Sequence, residues 1–146
     1  MAVQSAYRDA ERTNDSSRSV KKFKDLNLNF TKHPSTKDVT TLSDAASVKR
    51  SVRNLVQYGM YEKPFHPEIA SGVRDLLFEP MSPFSSNILA RKIEDVINNF
   101  EPRALLAGVN VTPRFDNNEY EVTVEFYINN APSELVDLSF TLERIR

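Results

Sequence analysis

The most constraining feature of this chain is a change of period. Between Ser43 and Phe100 its apolar residues return every three or four positions, whereas beyond Pro102 they return every second one. The first spacing lines one side of a helix, and the second sends alternate side chains to one face of a strand. A chain that keeps the two patterns in separate halves segregates its helices from its strands, which is the α+β class.

Ala45, Val48, Val52, Leu55 and Val56 predict a helix from about Ser43 to Tyr58, with Ser43 placed to cap its start and Gly59 its end. A second helix is expected from near Pro67, where Glu68 complements the helix dipole and Ile69, Val73, Leu76 and Leu77 form the stripe. Pro80 and Pro83 stop it, and Ser85 or Ser86 caps a third helix carrying Leu89, Ile93, Val96, Ile97 and Phe100. Val109 and Val111 begin the strands. Past a turn at Asp116-Asn117-Asn118, Tyr120, Val122, Val124, Phe126 and Ile128 alternate with polar residues, and Val136, Leu138, Phe140 and Leu142 do so again. Earlier, Leu26, Leu28 and Phe30 alternate with Asn27 and Asn29, which predicts a short strand followed by a Thr31–Thr40 loop broken by Pro34. The expectation is three helices on one face of an antiparallel sheet, a C-terminal three-stranded meander plus the early short strand, with the other face wet and an edge strand left over.

Residues 1–22 hold too little apolar area to offset the entropy of ordering and are expected to form a flexible arm, leaving 23–146 as one domain. With 146 residues there is no room for a two-domain cofactor enzyme, and Gly 3, Cys 0 and His 2 exclude a glycine-rich phosphate cradle, a thiolate zinc site and disulfides. No cofactor and no metal are expected. Apolar runs are far shorter than the roughly 20 residues that cross a bilayer, so neither a membrane nor a secretory signal is indicated. Residues 1–53 hold eleven Lys and Arg against six Asp and Glu, and the remainder carries the opposite excess, for a net charge of −1. The basic residues of the first third are scattered with few aromatics, which counts against nucleic acid. Lys49, Arg50, Arg53 and Asn54 are read as a solvated helix face, with an anion-facing patch as the alternative.

Paired carboxylates for hydrolysis are not evident. Glu121 and Glu125 fall on the wet side of a strand, and Asp75, Glu79 and Glu101 flank helix ends. His33 and His66 lack partners at ligand spacing. Two segments look specified beyond packing. Lys63-Pro64-Phe65-His66-Pro67-Glu68 stiffens the entry to a helix, and Asn99-Phe100-Glu101-Pro102-Arg103 sets opposite charges either side of a proline where helix gives way to sheet. Either can also be simple architecture.

At these residues the chain resembles the contractile-tail baseplate wedge family of tailed phages, the sheath initiators, whose relatives include the corresponding baseplate component of type VI secretion systems. The resemblance runs from Phe23 to Ile145. It is carried by Lys63-Pro64-Phe65-His66-Pro67-Glu68, Leu76-Leu77-Phe78-Glu79, Met81-Ser82-Pro83, and Glu101-Pro102-Arg103 followed by Val109-Asn110-Val111. Lys63 stands where the family often has arginine, and His66 where it often has an acid.

The resemblance implies a structural virion protein with a sheath-like fold, assembled in the host cytoplasm into the tail baseplate, and not an enzyme. It implies that Glu101, Pro102 and Arg103, with Lys63, Pro64 and Phe65, bind the core-bundle wedge subunits, Arg103 being the anchor. It also implies that a strand edge carrying Leu138, Phe140 and Leu142 docks the tail sheath protein by β-augmentation. The arm would reach the tail tube or a neighbouring wedge. Alternatives are a regulatory adaptor of the same fold family and a lysozyme-type peptidoglycan hydrolase.

Overall fold

The structure, a computed structural model, describes residues 23–129 and 131–145. The expected arm lies outside them. In chain order the elements are β1 (Lys24–Leu26), β2 (Thr41–Ser43), α1 (Asp44–Gln57), α2 (Val73–Leu76), α3 (Pro83–Phe100), β3 (Ala104–Arg114), β4 (Glu119–Ile128) and β5 (Ala131–Glu143). Strands β3, β4 and β5 form an antiparallel meander in that order, and β1 pairs with β2 in a separate two-stranded sheet. Among the described residues, three helices and antiparallel sheets give the α+β class expected.

The core forms where the two periods meet. Tyr120, Val122, Val124 and Phe126 on β4 are fully buried, facing Val48 and Val52 of α1 and Leu89 and Ile93 of α3 in one cluster. α3 packs chiefly on β3, and α1 reaches across to β4. The Tyr120 hydroxyl, buried with its ring, lies 3.2 Å from the Ser85 hydroxyl, so the core retains a satisfied polar atom. Ser85 is the third residue of α3 in a capping box: the Ser82 hydroxyl accepts from the Ser85 N–H at 3.0 Å, and the Ser82 N–H donates to the Ser85 hydroxyl at 2.9 Å. The cap is therefore Ser82, three residues earlier than Ser85, and Pro83 opens the helix where its missing N–H costs nothing.

Two other expectations are corrected. The early strand stops at Leu26 and does not join the meander; Leu26, Leu28 and Phe30 are 62%, 51% and 71% exposed. The alternation is real but its inward member is Asp25, whose carboxylate meets charged and hydroxyl partners. Asn27 then ends the strand, since its side-chain carbonyl accepts the Asn29 N–H at 3.1 Å and its backbone carbonyl accepts that of Phe30 at 2.9 Å. The expected Thr31–Thr40 loop runs straight into β2, which pairs Leu42 with Asp25.

The second helix is a single turn beginning at Val73, and Pro67–Ser71 is turn and loop. Gly72 adopts a φ of 62°, a left-handed conformation that interrupts any helix started upstream. The buried Ser71 hydroxyl donates to the Val56 carbonyl at 2.8 Å and accepts the Val73 N–H at 3.2 Å, pinning the turn to the end of α1. Gly72→Ala should lower stability by about 1–2 kcal/mol in denaturant unfolding, because a Cβ is strained in the left-handed region. Gly108, which has open space around its Cβ position and no positive φ, serves as the control. Gly108→Ala should be neutral or raise stability by about 0.5 kcal/mol, since alanine restricts the unfolded chain.

Candidate functional site

Where α3 ends and β3 begins, Glu101 caps the helix with its backbone N–H donating to the Ile97 carbonyl at 2.9 Å. Its side chain is carried inward and is 3% exposed. A buried carboxylate needs a counter-charge. Arg103 supplies it two residues later, donating from Nε to Oε1 at 2.6 Å and from Nη2 to Oε2 at 2.9 Å. This is the bidentate fork that a lysine cannot reproduce. The same guanidinium reaches Asp25 Oδ2 of β1 at 2.9 Å from Nη1 and lies 5.6 Å from the centre of the Phe23 ring. Ser47 of α1 donates a short hydrogen bond to the same Asp25 oxygen. One cation therefore ties together the two-stranded sheet, the first helix, the end of the last helix and the start of the meander.

The ionisation of the cluster follows from these contacts. Burial acts most strongly on Glu101 and pushes its carboxyl up, but the Arg103 hydrogen bonds and charge, with help from Ser51, outweigh it and hold the group below the usual carboxylate range. Asp25 is likewise held low, first by the Ser47 hydroxyl and then by Arg103 against some burial. Hydrogen bonding to Glu101 raises Arg103, which stays charged. Pro102 between them is exposed.

The other expected site residues lie apart from this corner. Ten residues of α1 separate Ser47 from Gln57, about 15 Å at 1.5 Å per residue, and the Lys63-Pro64-Phe65 loop follows the far end of the helix. The loop is fastened by Glu62, which accepts the Gly59 N–H at 2.8 Å and an Arg74 N–H at 3.1 Å. Phe65 stands 97% exposed with a φ of 67°, and Tyr61 is similarly exposed and left-handed. On β5, Phe140 and Leu142 are buried and Leu138 is half-buried. Their side chains belong to the core, so what the strand offers at its free edge is backbone.

Sequence reasoning missed Phe23, Asp25 and Ser47. No spacing announces them, since Asp25 and Arg103 are 78 positions apart. Among the described residues no cluster of His, Cys, Asp or Glu could hold a metal ion.

Because Glu101 and Asp25 titrate lower in the folded protein than in the unfolded chain, the unfolded chain takes up protons first as pH falls. The stability they contribute is present above pH of about 4.5 and is lost as pH drops through their folded values. Glu101→Gln should cost roughly 1–3 kcal/mol at pH 7 and flatten the acid limb of a stability–pH profile measured by urea unfolding. An unchanged acid limb would contradict the assignment.

Residues 42–133 match the family described as baseplate wedge protein gp25, a stretch that includes Glu101, Pro102 and Arg103. The chain is 30% identical over 106 residues to the baseplate wedge protein gp25 of Enterobacteria phage T4, covering 73% of this chain and 80% of that protein. Its fold is shared with a proposed tail lysozyme from Geobacter sulfurreducens at 17% identity (TM-score 0.67), over 73% of this chain and 97% of that one. It is shared too with a chain of the anti-feeding prophage baseplate at 20% identity (TM-score 0.58), over 86% of this chain and 88% of that one. A chain of the postcontracted pyocin R2 baseplate matches at 17% identity (TM-score 0.52), over 83% and 98% of the two chains. By its family match and its relative at this identity and coverage, the chain belongs to the family of baseplate wedge protein gp25, a baseplate component of contractile tail systems.

Proposed function

We propose that this protein is a rigid, non-catalytic adaptor of a contractile-tail baseplate wedge, which docks on the core-bundle wedge subunits through its Glu101-Pro102-Arg103 corner and starts sheath polymerisation by accepting a sheath strand on β5. It assembles in the host cytoplasm and remains in the virion tail. The observation that carries the reading is the asymmetry of the two sheet edges. β3 is bent by a register shift between Leu106 and Gly108 and bears Pro113 near its end, both of which blunt an edge. β5 has a register shift and Pro132 only at its start, and from Leu135 to Glu143 it keeps an unbroken register with β4, with its inward residues Val136, Leu138, Phe140 and Leu142 all apolar. No proline or inward charge protects that stretch, and no described strand covers its outer side.

The corner supports docking in a different way. The ion-pair cluster holds Pro102 exposed and, among the described residues, leaves one N–H of Arg103 Nη2 uncommitted for a carbonyl or carboxylate of a partner. Lys63, Pro64 and Phe65, at the far end of α1, form a second contact with the wedge subunits. A peptidoglycan hydrolase would need one acid kept protonated. Here Glu101 is held charged by Arg103, and Glu121 is paired with Arg114 at 2.5 Å, which favours the adaptor reading over the lysozyme one.

Removing Arg103 outright would strand the Glu101 carboxylate inside the protein, so Arg103→Ala reports folding as well as docking. Arg103→Lys keeps the charge and is the better probe. It should remain folded by circular dichroism yet lose co-purification with the core wedge subunits, as should Pro102→Glu; wedges that assemble normally with both variants would overturn the docking role. For the sheath, hydrogen exchange should slow at alternate amides of β5 when sheath protein is added, with β3 unchanged. Protection along β3 instead, or along neither, would remove the strand-docking role.

A further inference from the structure

The outward side of α1 meets the open side of β5 in a groove of about 500 Å3 lined by Lys49, Arg50, Arg53, Asn54 and Leu138 among others. Its charge is of one sign. Arg50 donates to the neutral side-chain oxygens of Asn27 and Asn29, each at 2.6 Å, and Arg53 lies 6.0 Å from the centre of the Phe140 ring. Among the described residues none of Lys49, Arg50 and Arg53 is paired with a carboxylate.

The other face of the same sheet carries the opposite charge. Asp137 of β5 sits directly across from Glu125 of β4, and Glu143 across from Glu119. Like charges directly opposite one another destabilise an antiparallel pair. Arg114 pairs with Glu121, but among the described residues Glu119, Glu125, Asp137 and Glu143 have no cationic partner in ion-pair contact. A strand laid along β5 would place alternate side chains on these two faces, because strand side chains alternate with a period of two. Those opposite Leu138 and Phe140 would enter the basic groove, and the one opposite Asp137 would meet the acidic face.

Building on the strand docking proposed above, we infer that the segment received by β5 has alternating charge, with carboxylates on the side of Lys49, Arg50 and Arg53 and Lys or Arg on the side of Asp137 and Glu125. A strand with one charge throughout meets repulsion on one of the two faces. The alternation also restricts the register of the incoming chain, since a slip of one residue exchanges every side chain between the faces. The device is thus a selectivity code added to main-chain pairing that is itself indifferent to sequence.

The test uses the full chain, the sheath protein of the same tail, and three variants. Lys49→Glu and Asp137→Lys should each weaken sheath binding about three- to tenfold at low salt, with the loss shrinking at high salt because exposed charges are screened. Arg91→Glu, on the exposed side of α3, should have no effect and controls for net charge. Asp137→Lys should at the same time raise the stability of the isolated protein by relieving its repulsion with Glu125, so weaker binding cannot be ascribed to unfolding. If the β5 amides are protected by sheath protein but Lys49→Glu and Asp137→Lys bind as the parent does, or more tightly, the charge code is overturned while strand docking stands. If sheath protein protects no amide of β5, the docking itself fails and the code with it.

Discussion

The guanidinium of Arg103 is the point on which the architecture depends. Glu101 is drawn inside because α3 must end where the meander begins, and an ionised carboxylate in that position needs a cation against it, which the Arg103 guanidinium supplies through two hydrogen bonds. By reaching Asp25 with its other nitrogen, Arg103 also fixes the two-stranded sheet onto α1, where Ser47 completes the contact. The result is a corner with little freedom to move. Rigidity of this kind suits a protein whose proposed task is to hold a strand edge at a defined angle to a wedge, since docking then costs little further ordering.

The meander supplies the second half of the argument. Among the described residues the sheet of three strands has two uncovered edges, and they are unequal: β3 is bulged between Leu106 and Gly108 and ends near Pro113, whereas β5, although it too has a register shift and Pro132 at its start, keeps an unbroken register from Leu135 to Glu143 with apolar residues facing in. Helices cover one face, and the other carries a concentration of glutamates and aspartates. The basic side of α1 flanks the open edge from the covered side. Edge, groove and acidic face are therefore contiguous, and the chemistry around β5 differs from one side of the sheet to the other.

Much of this was legible in the sequence because it is local. The stripes of α1 and α3, the turn at Asp116-Asn117-Asn118 and the alternation of β4 and β5 all depend on residues within a few positions of each other. The failures share a cause. Leu26, Leu28 and Phe30 have the period of a half-buried strand, but the phase is set by Asp25, whose partner lies in the distant Glu101-Pro102-Arg103 segment. The stripe of the second helix extends in sequence back to Pro67, since Ile69 fits it, while the backbone of Gly72 turns left-handed and the Ser71 hydroxyl takes over the turn. Glu101, Pro102 and Arg103 could be singled out as a group, yet their intramolecular partners Phe23, Asp25 and Ser47 could not, since only the folded chain brings them within reach.

The central claim is that β5 is an unfinished edge completed by another chain. A cryo-EM map of the assembled baseplate at side-chain resolution tests it most directly. The account predicts a fourth strand, contributed by a sheath subunit, running beside Leu135–Glu143 with Arg103 still joined to Glu101. A β5 edge bare of neighbouring density, or a sheath strand lying along β3, would contradict it.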